Sequence, residues 1–135
     1  EFWKEPEENL RSFRLSAAKA GTLKRLGQAF SSGVLNERRL KDLPDEAVIE
    51  KLTEIKGIGR WSAETALLRG LKRYAAFPAG DLGVVKYLAQ GLLGKKSKAT
   101  ETEMRTFAER WRPYRGLALS YCYVELARRK KLRSN

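Results

Sequence analysis

The sequence predicts an all-α fold, and three observations support this prediction. β-branched residues are sparse and scattered, and no stretch shows the sustained alternation of apolar and polar residues that a half-buried strand requires. Apolar residues instead recur at helical spacing behind capping residues or prolines. With 135 residues, 42% of them hydrophobic, the chain is sufficient for one domain with a buried core. We therefore expect a single all-α domain over residues 1–135.

Helix starts in the first half of the chain are marked by capping residues and prolines. A short helix is predicted after Pro6, and Ser16 is a good N-cap for a second, which Ser31-Ser32-Gly33 ends. Asn36 could cap a short turn, and another helix starts near Pro44 with acidic residues in its first turn. The apolar face of the second helix comprises Ala20, Leu23, Gly27 and Phe30. The apolar face of the helix after Pro44 comprises Val48, Leu52 and Ile55.

The second half of the chain shows the same alternation of helix and loop. A helix begins around Arg60, and Phe77-Pro78-Ala79-Gly80 is a loop after which Asp81 sits as an N-cap. A basic loop from Gly91 to Ala99 leads to a T-x-x-E capping box at Thr100. The face of the helix from Arg60 comprises Ala63, Ala66, Leu67, Gly70, Leu71 and Tyr74. Asp81 precedes the apolar residues Val84, Val85 and Leu88. The stripe after the capping box comprises Met104, Phe107, Ala108 and Trp111, and a last helix follows from Tyr114 to Lys131.

Composition excludes several kinds of site. Lys and Arg total 28 against 16 Asp and Glu, and the net charge of +12 favours a polyanionic partner, nucleic acid before a membrane surface. The chain has no histidine, so a histidine base, a Ser-His-Asp triad and a histidine metal ligand are excluded. One cysteine, Cys122, excludes an internal disulfide, a Cys-rich zinc site and a four-cysteine iron–sulfur cluster. The lack of cystine fits an intracellular protein.

A glycine-rich corner, Lys56-Gly57-Ile58-Gly59, separates two predicted helices. Two glycines around one apolar residue allow a tight turn, and the following amides lead into a helix N-terminus, which favours a phosphate. An ordinary helix-turn-helix corner with a glycine cap would have the same pattern. The wider L-x-x-I-x-G-I-G pattern from Leu52, in a chain this basic, favours the phosphate site.

Asp81 and the aromatic residues each allow a structural and a chemical interpretation. An ionised Asp81 could stabilise a developing positive charge or orient a water, but aspartate is also a common N-cap. An unstacked base could be held by Trp61 or by the late cluster of Trp111, Tyr114, Tyr121 and Tyr123, although aromatic residues at helical spacing more often belong to the core. The lysines and arginines near residues 95–98 and 128–131 could contact phosphates or remain solvated.

Three blocks of the sequence resemble the helix-hairpin-helix DNA glycosylase superfamily in their order and spacing. They are Leu52 to Ala63, Phe77 to Leu82, and Ala108 to Arg115. The chain is most similar to the branch of 3-methyladenine DNA glycosylase II, which removes alkylated bases. The fold that this resemblance implies is a helix-hairpin-helix glycosylase core.

The resemblance implies roles for particular residues. The hairpin that binds a DNA phosphate would comprise Gly57, Ile58, Gly59 and Arg60. Asp81 would be the essential aspartate, and Tyr123 would lie on the wall of the base pocket. Trp61 stands where bifunctional glycosylase/lyases carry a Schiff-base lysine, and because tryptophan forms no imine the enzyme would be monofunctional. Thr65 stands where one branch has an aromatic residue, which leaves the base preference open.

The implied reaction is hydrolysis of the N-glycosidic bond of an alkylated base in duplex DNA, a step of base excision repair. Trp61 and Tyr123 would sandwich the flipped-out base, and Asp81 would stabilise the oxocarbenium character of the sugar. No redox cofactor or catalytic metal is implied. Main-chain carbonyls of Thr53, Ile55 and Ile58 could share a monovalent cation, as in relatives.

The N-terminus departs from the family. No segment matches the helices that begin the family's core, so we expect a core that is incomplete at its N-terminus. An absent segment or a second chain would complete it. We expect little or no activity from this fragment alone, and a monomer when the core is complete. A non-catalytic helix-hairpin-helix DNA-binding module is the alternative function, and a basic scaffold for a protein partner is a third.

Overall fold

The computed structural model describes residues 2–81, 83, 91, 94 and 99–133. Within them every regular element is helical, which confirms the all-α prediction. The chain divides into two compact units, Glu1–Ala63 and Glu64–Asn135. No helix among the described residues has both the length and the hydropathy needed to cross a bilayer.

The first unit is built from short helices whose starts follow the predicted caps. Its helices are α1 (Glu7–Arg11), α2 (Ala17–Ser31), α3 (Glu37–Asp42), α4 (Asp45–Thr53) and the start of α5 (Arg60–Thr65), after a 3-10 turn at Phe2–Lys4. The Ser16 hydroxyl accepts from the Lys19 amide at 3.4 Å, and the Asn36 side chain accepts from the Arg39 amide at 3.2 Å. Both predicted N-caps are therefore confirmed.

The buried face of α2 consists of small residues. Ala20, Gly21 and Gly27 are buried, whereas Phe30, which the spacing placed on the same face, is 45% exposed. A methyl group on Gly27 would lie 2.6 Å from Cβ of Trp3, so the N-terminal 3-10 turn packs directly on the helix backbone. The prediction for Phe30 was wrong because small residues, rather than large apolar ones, form the contact surface of α2.

The helix that starts at Arg60 ends earlier than the spacing predicts. It continues from α5 as a π-turn over Ala66–Gly70, which the amide of Leu71 closes by donating to the Ala66 carbonyl at 3.0 Å. Lys72 then adopts a φ of 59°, in the left-handed region that a right-handed helix cannot continue through. Tyr74, expected on the helix face, lies beyond this break and is 44% exposed.

Two helices and the loop before Asp81 form the core of the second unit. The helices are α6 (Glu101–Ala108) and α7 (Arg115–Arg133), separated by a 3-10 turn at Glu109–Trp111 and a cis peptide between Arg112 and Pro113. The predicted capping box of Thr100 and Glu103 is present at the start of α6. The core comprises Phe77, Ala79, Ala99, Met104, Ala108 and Leu119, with Trp111, Cys122 and Tyr123 packed against it.

Two predicted features lie outside the described residues. They are the helix carrying Val84, Val85 and Leu88, and the basic loop carrying Lys95, Lys96 and Lys98.

Replacement of Gly116 by alanine should destabilise the protein. The Gly116 amide donates to the Tyr74 carbonyl at 2.7 Å, and an added Cβ would lie 2.3 Å from the Ala76 carbonyl oxygen. Because this clash involves backbone atoms, we expect a loss of about 1–3 kcal/mol in the free energy of unfolding. Urea denaturation measures the loss. Gly70→Ala is the matched control, since its added methyl meets open space. Equal midpoints for the two variants would contradict the packing of Gly116.

Candidate functional site

The corner between α4 and α5 is a tight hairpin closed by its own backbone. The Ile55 amide donates to the Leu52 carbonyl at 3.2 Å, and the Ile58 amide donates to the Ile55 carbonyl at 2.9 Å. The Ala63 amide donates to the Gly59 carbonyl at 3.1 Å, which starts the bonding of α5. The predicted helix-hairpin-helix geometry is therefore present within the described residues.

Two residues from one turn of α2 contact the backbone of this hairpin. Arg25 Nε donates to the Lys56 carbonyl at 2.9 Å, and Arg25 Nη2 lies 3.3 Å from the Thr22 hydroxyl. Gly57 has a φ of 101°, and a Cβ there would lie 2.0 Å from Thr22 Oγ1. No sequence motif marks Thr22 and Arg25, because a three-residue spacing on a helix carries no distinctive signal.

The two hairpin glycines serve different purposes. Gly57 is required by the fold, since both its φ and the adjacent Thr22 exclude a side chain. Gly59 has a φ outside the left-handed region, and a Cβ there would meet no atom within 4 Å. The fold therefore gives no reason for glycine at position 59. The missing side chain leaves the backbone at the start of α5 open to an approaching group.

The side chain of Arg60 connects the two helices of the hairpin. Its Nη1 and Nη2 atoms contact Glu46 Oε2 and Oε1 at 3.0 and 2.6 Å, a bidentate pair on the protein surface. A half-exposed pair of this kind contributes only about 0–1 kcal/mol to stability. Because the guanidinium of Arg60 is already bonded to Glu46, a phosphate contact at Arg60 would use the backbone amide.

The other sequence-predicted residues of the first unit are Trp61, Thr53 and Ile55. Trp61 is the second residue of α5, and 45% of its surface is exposed. Thr53 ends α4, where terminal carbonyls lack intrahelical donors, and the Ile55 carbonyl accepts from the Ile58 amide. The base-stacking role of Trp61 and the cation site at these carbonyls stay predictions.

Two arginines hold the loop that leads to Asp81. Arg115 Nε donates to the Ala75 carbonyl, and Arg105 Nη1 donates to the Phe77 carbonyl, each at 3.2 Å. The loop then turns through bonds from the Ala79 amide to the Phe77 carbonyl and from the Asp81 amide to the Pro78 carbonyl. The backbone entering Asp81 is therefore fixed by side chains from α6 and α7.

Each of these arginines is itself held by a carboxylate. Arg105 Nη2 lies 2.8 Å from Oε1 of Glu64, a residue that is only 3% exposed. Arg115 Nη1 lies 2.7 Å from Oε1 of Glu109. Hydrogen bonding by Arg112 first, and by Arg115 as well, lowers the pKa of Glu109, so this carboxylate stays ionised at neutral pH.

The carboxylate of Asp81 lies beside the phenol of Tyr123 in the second unit. Asp81 Oδ1 accepts from the Gly83 amide at 2.7 Å, as expected of a capping aspartate. Burial raises the pKa of the Tyr123 hydroxyl, and the adjacent Asp81 carboxylate raises it further, against a smaller opposing effect of Arg69. The phenol is therefore neutral at physiological pH and able to donate a proton in a hydrogen bond.

The remaining aromatic residues divide between core and surface. Trp111 packs edge-to-face on Phe107, with ring centroids 5.2 Å apart, and is packed against the core, in line with the structural interpretation. Tyr114 and Tyr121 are 59% and 70% exposed. Burial raises the pKa of the Cys122 thiol, so it is a poor nucleophile. Among the described residues no group of three or more acidic or cysteine side chains could hold a metal ion.

Alanine substitutions at the two hairpin glycines should show that the fold requires Gly57 and does not require Gly59. Gly57→Ala should lower the thermal midpoint markedly, since the new methyl would overlap Thr22 in a strained backbone. Gly59→Ala should leave the midpoint nearly unchanged, since its methyl meets open space. Thermal denaturation followed by circular dichroism measures both effects. A similar loss of stability for the two variants would show that Gly59 is also required by the fold.

The chain is similar to DNA-3-methyladenine glycosylases. It is 40% identical over 78 residues to DNA-3-methyladenine glycosylase 1 of Schizosaccharomyces pombe, covering 57% of this chain and 34% of the relative. It is 24% identical over 115 residues to the DNA-3-methyladenine glycosylase of Bacillus subtilis, covering 85% of this chain and 38% of the relative. The chain thus spans well under half the length of these two relatives. No protein-family model matches it.

The fold is similar to a solved structure from the same group. This is the Schizosaccharomyces pombe 3-methyladenine DNA glycosylase Mag1 in complex with abasic DNA, with a TM-score of 0.82 and 31% identity. The match covers 89% of this chain and 58% of the solved chain. Together with the hairpin, these similarities confirm the resemblance that the sequence indicated: the chain is a homologue of the DNA-3-methyladenine glycosylases and has the fold of the helix-hairpin-helix glycosylase superfamily.

Proposed function

We propose that this protein is a monofunctional DNA glycosylase of base excision repair that hydrolyses the N-glycosidic bond of alkylated bases. The observation that carries the proposal is the setting of Asp81. It is a partly buried carboxylate at the end of a loop that Arg105 and Arg115 anchor, and it lies beside a neutral phenol. The names of the relatives support the same activity.

Cleavage of the glycosidic bond of an alkylated base requires little from the enzyme beyond stabilisation of charge. A purine alkylated on a ring nitrogen is cationic and leaves without being protonated, which suits a chain that has no histidine. As the glycosidic bond breaks, the sugar acquires positive charge, which the ionised Asp81 stabilises. Water then adds to the sugar carbon with help from the same carboxylate. The products are a free base and an abasic site.

The hairpin supplies the DNA contact. An approaching phosphate would meet the backbone at Gly59 and Arg60, where the missing side chain at position 59 leaves room. The excess of positive charge strengthens this contact without sequence preference. We propose duplex DNA with a damaged base as the partner. The proposed base-stacking residues are Trp61 in the first unit and Tyr123 in the second, and the attraction of a cationic base to an aromatic ring contributes roughly 0.5–2 kcal/mol.

The proposed reaction requires no redox cofactor and no catalytic metal. The carbonyl oxygens of Thr53, Ile55 and Ile58 are hard donors without formal charge, which fits a structural monovalent cation at the hairpin. Such a cation would offset the negative partial charge of these carbonyl oxygens, which would otherwise repel an approaching phosphate. A DNA substrate would require an intracellular protein, and we propose that it acts as a monomer when its core is complete.

A second candidate function rests on the bond from the Gly83 amide to Asp81 Oδ1. This bond is what a purely structural cap would make. The protein would then be a DNA-binding module whose hairpin contacts the backbone and whose Asp81 performs no chemistry. It would bind undamaged DNA with a strong dependence on salt and release no base.

Asp81→Asn should abolish base release while DNA binding is retained. The amide keeps the shape and the capping acceptor but loses the negative charge, so we expect a fall of about 100-fold or more in the single-turnover rate. Methylated duplex DNA is the substrate, and the released bases are separated by chromatography. Undiminished release by the variant would refute the role of Asp81, and absence of release by the protein with a complete core would favour the binding module.

Borohydride should not trap a covalent complex between the protein and DNA. Trapping requires an imine between an amine and the sugar, and Trp61 offers no amine at the position of the lyase lysine. Gel electrophoresis after reduction detects the adduct, with a lysine-bearing glycosylase/lyase as the positive control. A trapped band from this protein would contradict the monofunctional assignment.

A further inference from the structure

Three residues meet at the carboxylate of Asp81. Asp81 Oδ1 accepts from the Gly83 amide at 2.7 Å. A Cβ on Gly83 would lie 2.9 Å from the same Oδ1 and 3.2 Å from Cε1 of Tyr123. The carboxylate and the tyrosine ring therefore approach the same point, on the open side of Gly83. Cε1 is the ring carbon next to the one that bears the hydroxyl, so the polar end of the ring lies beside Gly83 and close to the point that Asp81 Oδ1 also approaches.

We propose that the Tyr123 hydroxyl donates a hydrogen bond to the Asp81 carboxylate, and that Tyr123 and Gly83 together are positioning residues for this aspartate. The inference rests on the proposed function and assigns Tyr123 a task beyond lining the base pocket. Gly83 contributes by having no side chain, because a methyl group would separate the carboxylate from the phenol.

The pair fixes the orientation of the carboxylate from two sides. The Gly83 amide holds Oδ1 close to the backbone, and a donor on α7 restrains rotation of the remaining carboxylate group. A carboxylate that is already oriented needs no reorganisation when positive charge develops on the sugar. The raised pKa of the Tyr123 hydroxyl agrees with this contact, since it keeps the phenol in its donating form.

The structure holds the donor as firmly as the acceptor. Tyr123 packs against the core that contains Phe77 and Leu119, so its ring is restrained by the same apolar contacts that restrain the loop. The loop is in turn bonded to Arg105 and Arg115. The hydroxyl and the carboxylate therefore belong to one packed assembly within the second unit.

Tyr123→Phe tests the proposal because it removes the hydroxyl and keeps the ring. If Tyr123 only stacks on the base, this variant should release bases at the original rate. If its hydroxyl positions Asp81, the single-turnover rate should fall by about 10- to 100-fold, the effect of one hydrogen bond to a charged group. Affinity for abasic-site DNA should be unchanged. An unchanged or increased rate would overturn the proposal.

Two controls isolate the effect. Tyr121→Phe removes a hydroxyl from an exposed position on the same helix and should leave the rate unaltered. Gly83→Ala should reduce the rate as Tyr123→Phe does, because its methyl would press on Asp81 Oδ1, whereas Gly70→Ala adds a methyl in open space. A Gly83→Ala variant that folds and retains the full rate would contradict the role assigned to Gly83.

A double-mutant cycle on stability tests the contact without any activity. Urea midpoints are compared for the unaltered protein, Tyr123→Phe, Asp81→Ala and the double variant. We expect the midpoint shift caused by Tyr123→Phe to vanish when Asp81 is already alanine. Additive shifts would overturn the proposed contact even if the protein releases bases. Coupled shifts in a protein that releases no base even when its core is complete would uphold the contact and reject the glycosylase function.

Discussion

The placement of Asp81 depends on two main-chain carbonyls that arginine side chains hold. The carbonyls of Ala75 and Phe77 belong to a loop without regular secondary structure. They accept hydrogen bonds from the side chains of Arg115 and Arg105 in place of the backbone amides that a helix or sheet would supply. Both arginines extend from helices of the core, and both are bonded to carboxylates. A loop held in this way can carry a polar side chain at a fixed position, which a proposed catalytic group requires.

The parts of the fold that sequence analysis predicted well are local. The helix caps are made by hydrogen bonds between residues three positions apart, at Ser16, at Asn36 and between Thr100 and Glu103. The local sequence is therefore sufficient to predict them. The end of the helix that begins at Arg60 was predicted wrongly. The helical spacing continues to Tyr74, but Lys72 adopts a left-handed conformation that no residue type announces.

The candidate site was predicted at the level of motifs rather than of contacts. The glycine corner and Asp81 stand in recognisable sequence blocks, and the structure shows what supports them. Thr22 and Arg25 lie far upstream of the hairpin, and Gly83 reaches Tyr123 only through the fold. Such contacts depend on how distant segments pack together, and a single sequence does not record them.

The net charge of +12 does not translate directly into charge available to DNA. The guanidinium groups of Arg25, Arg60, Arg105 and Arg115 are all bonded to carbonyls or carboxylates of the protein. These arginines determine the shape of the hairpin and of the loop before Asp81. Long-range attraction to a polyanion still depends on the total charge, whereas short contacts depend on which side chains remain available.

The support that α2 gives to the hairpin limits how far this motif can be transplanted. Arg25 reaches the Lys56 carbonyl across 31 positions of the chain, and the strained backbone at Gly57 is packed against Thr22. A peptide cut to α4, the corner and α5 would keep every residue of the recognisable pattern and lose the partner that shapes it. The folded hairpin therefore depends on residues outside its motif, and any graft into another scaffold must include an equivalent of α2.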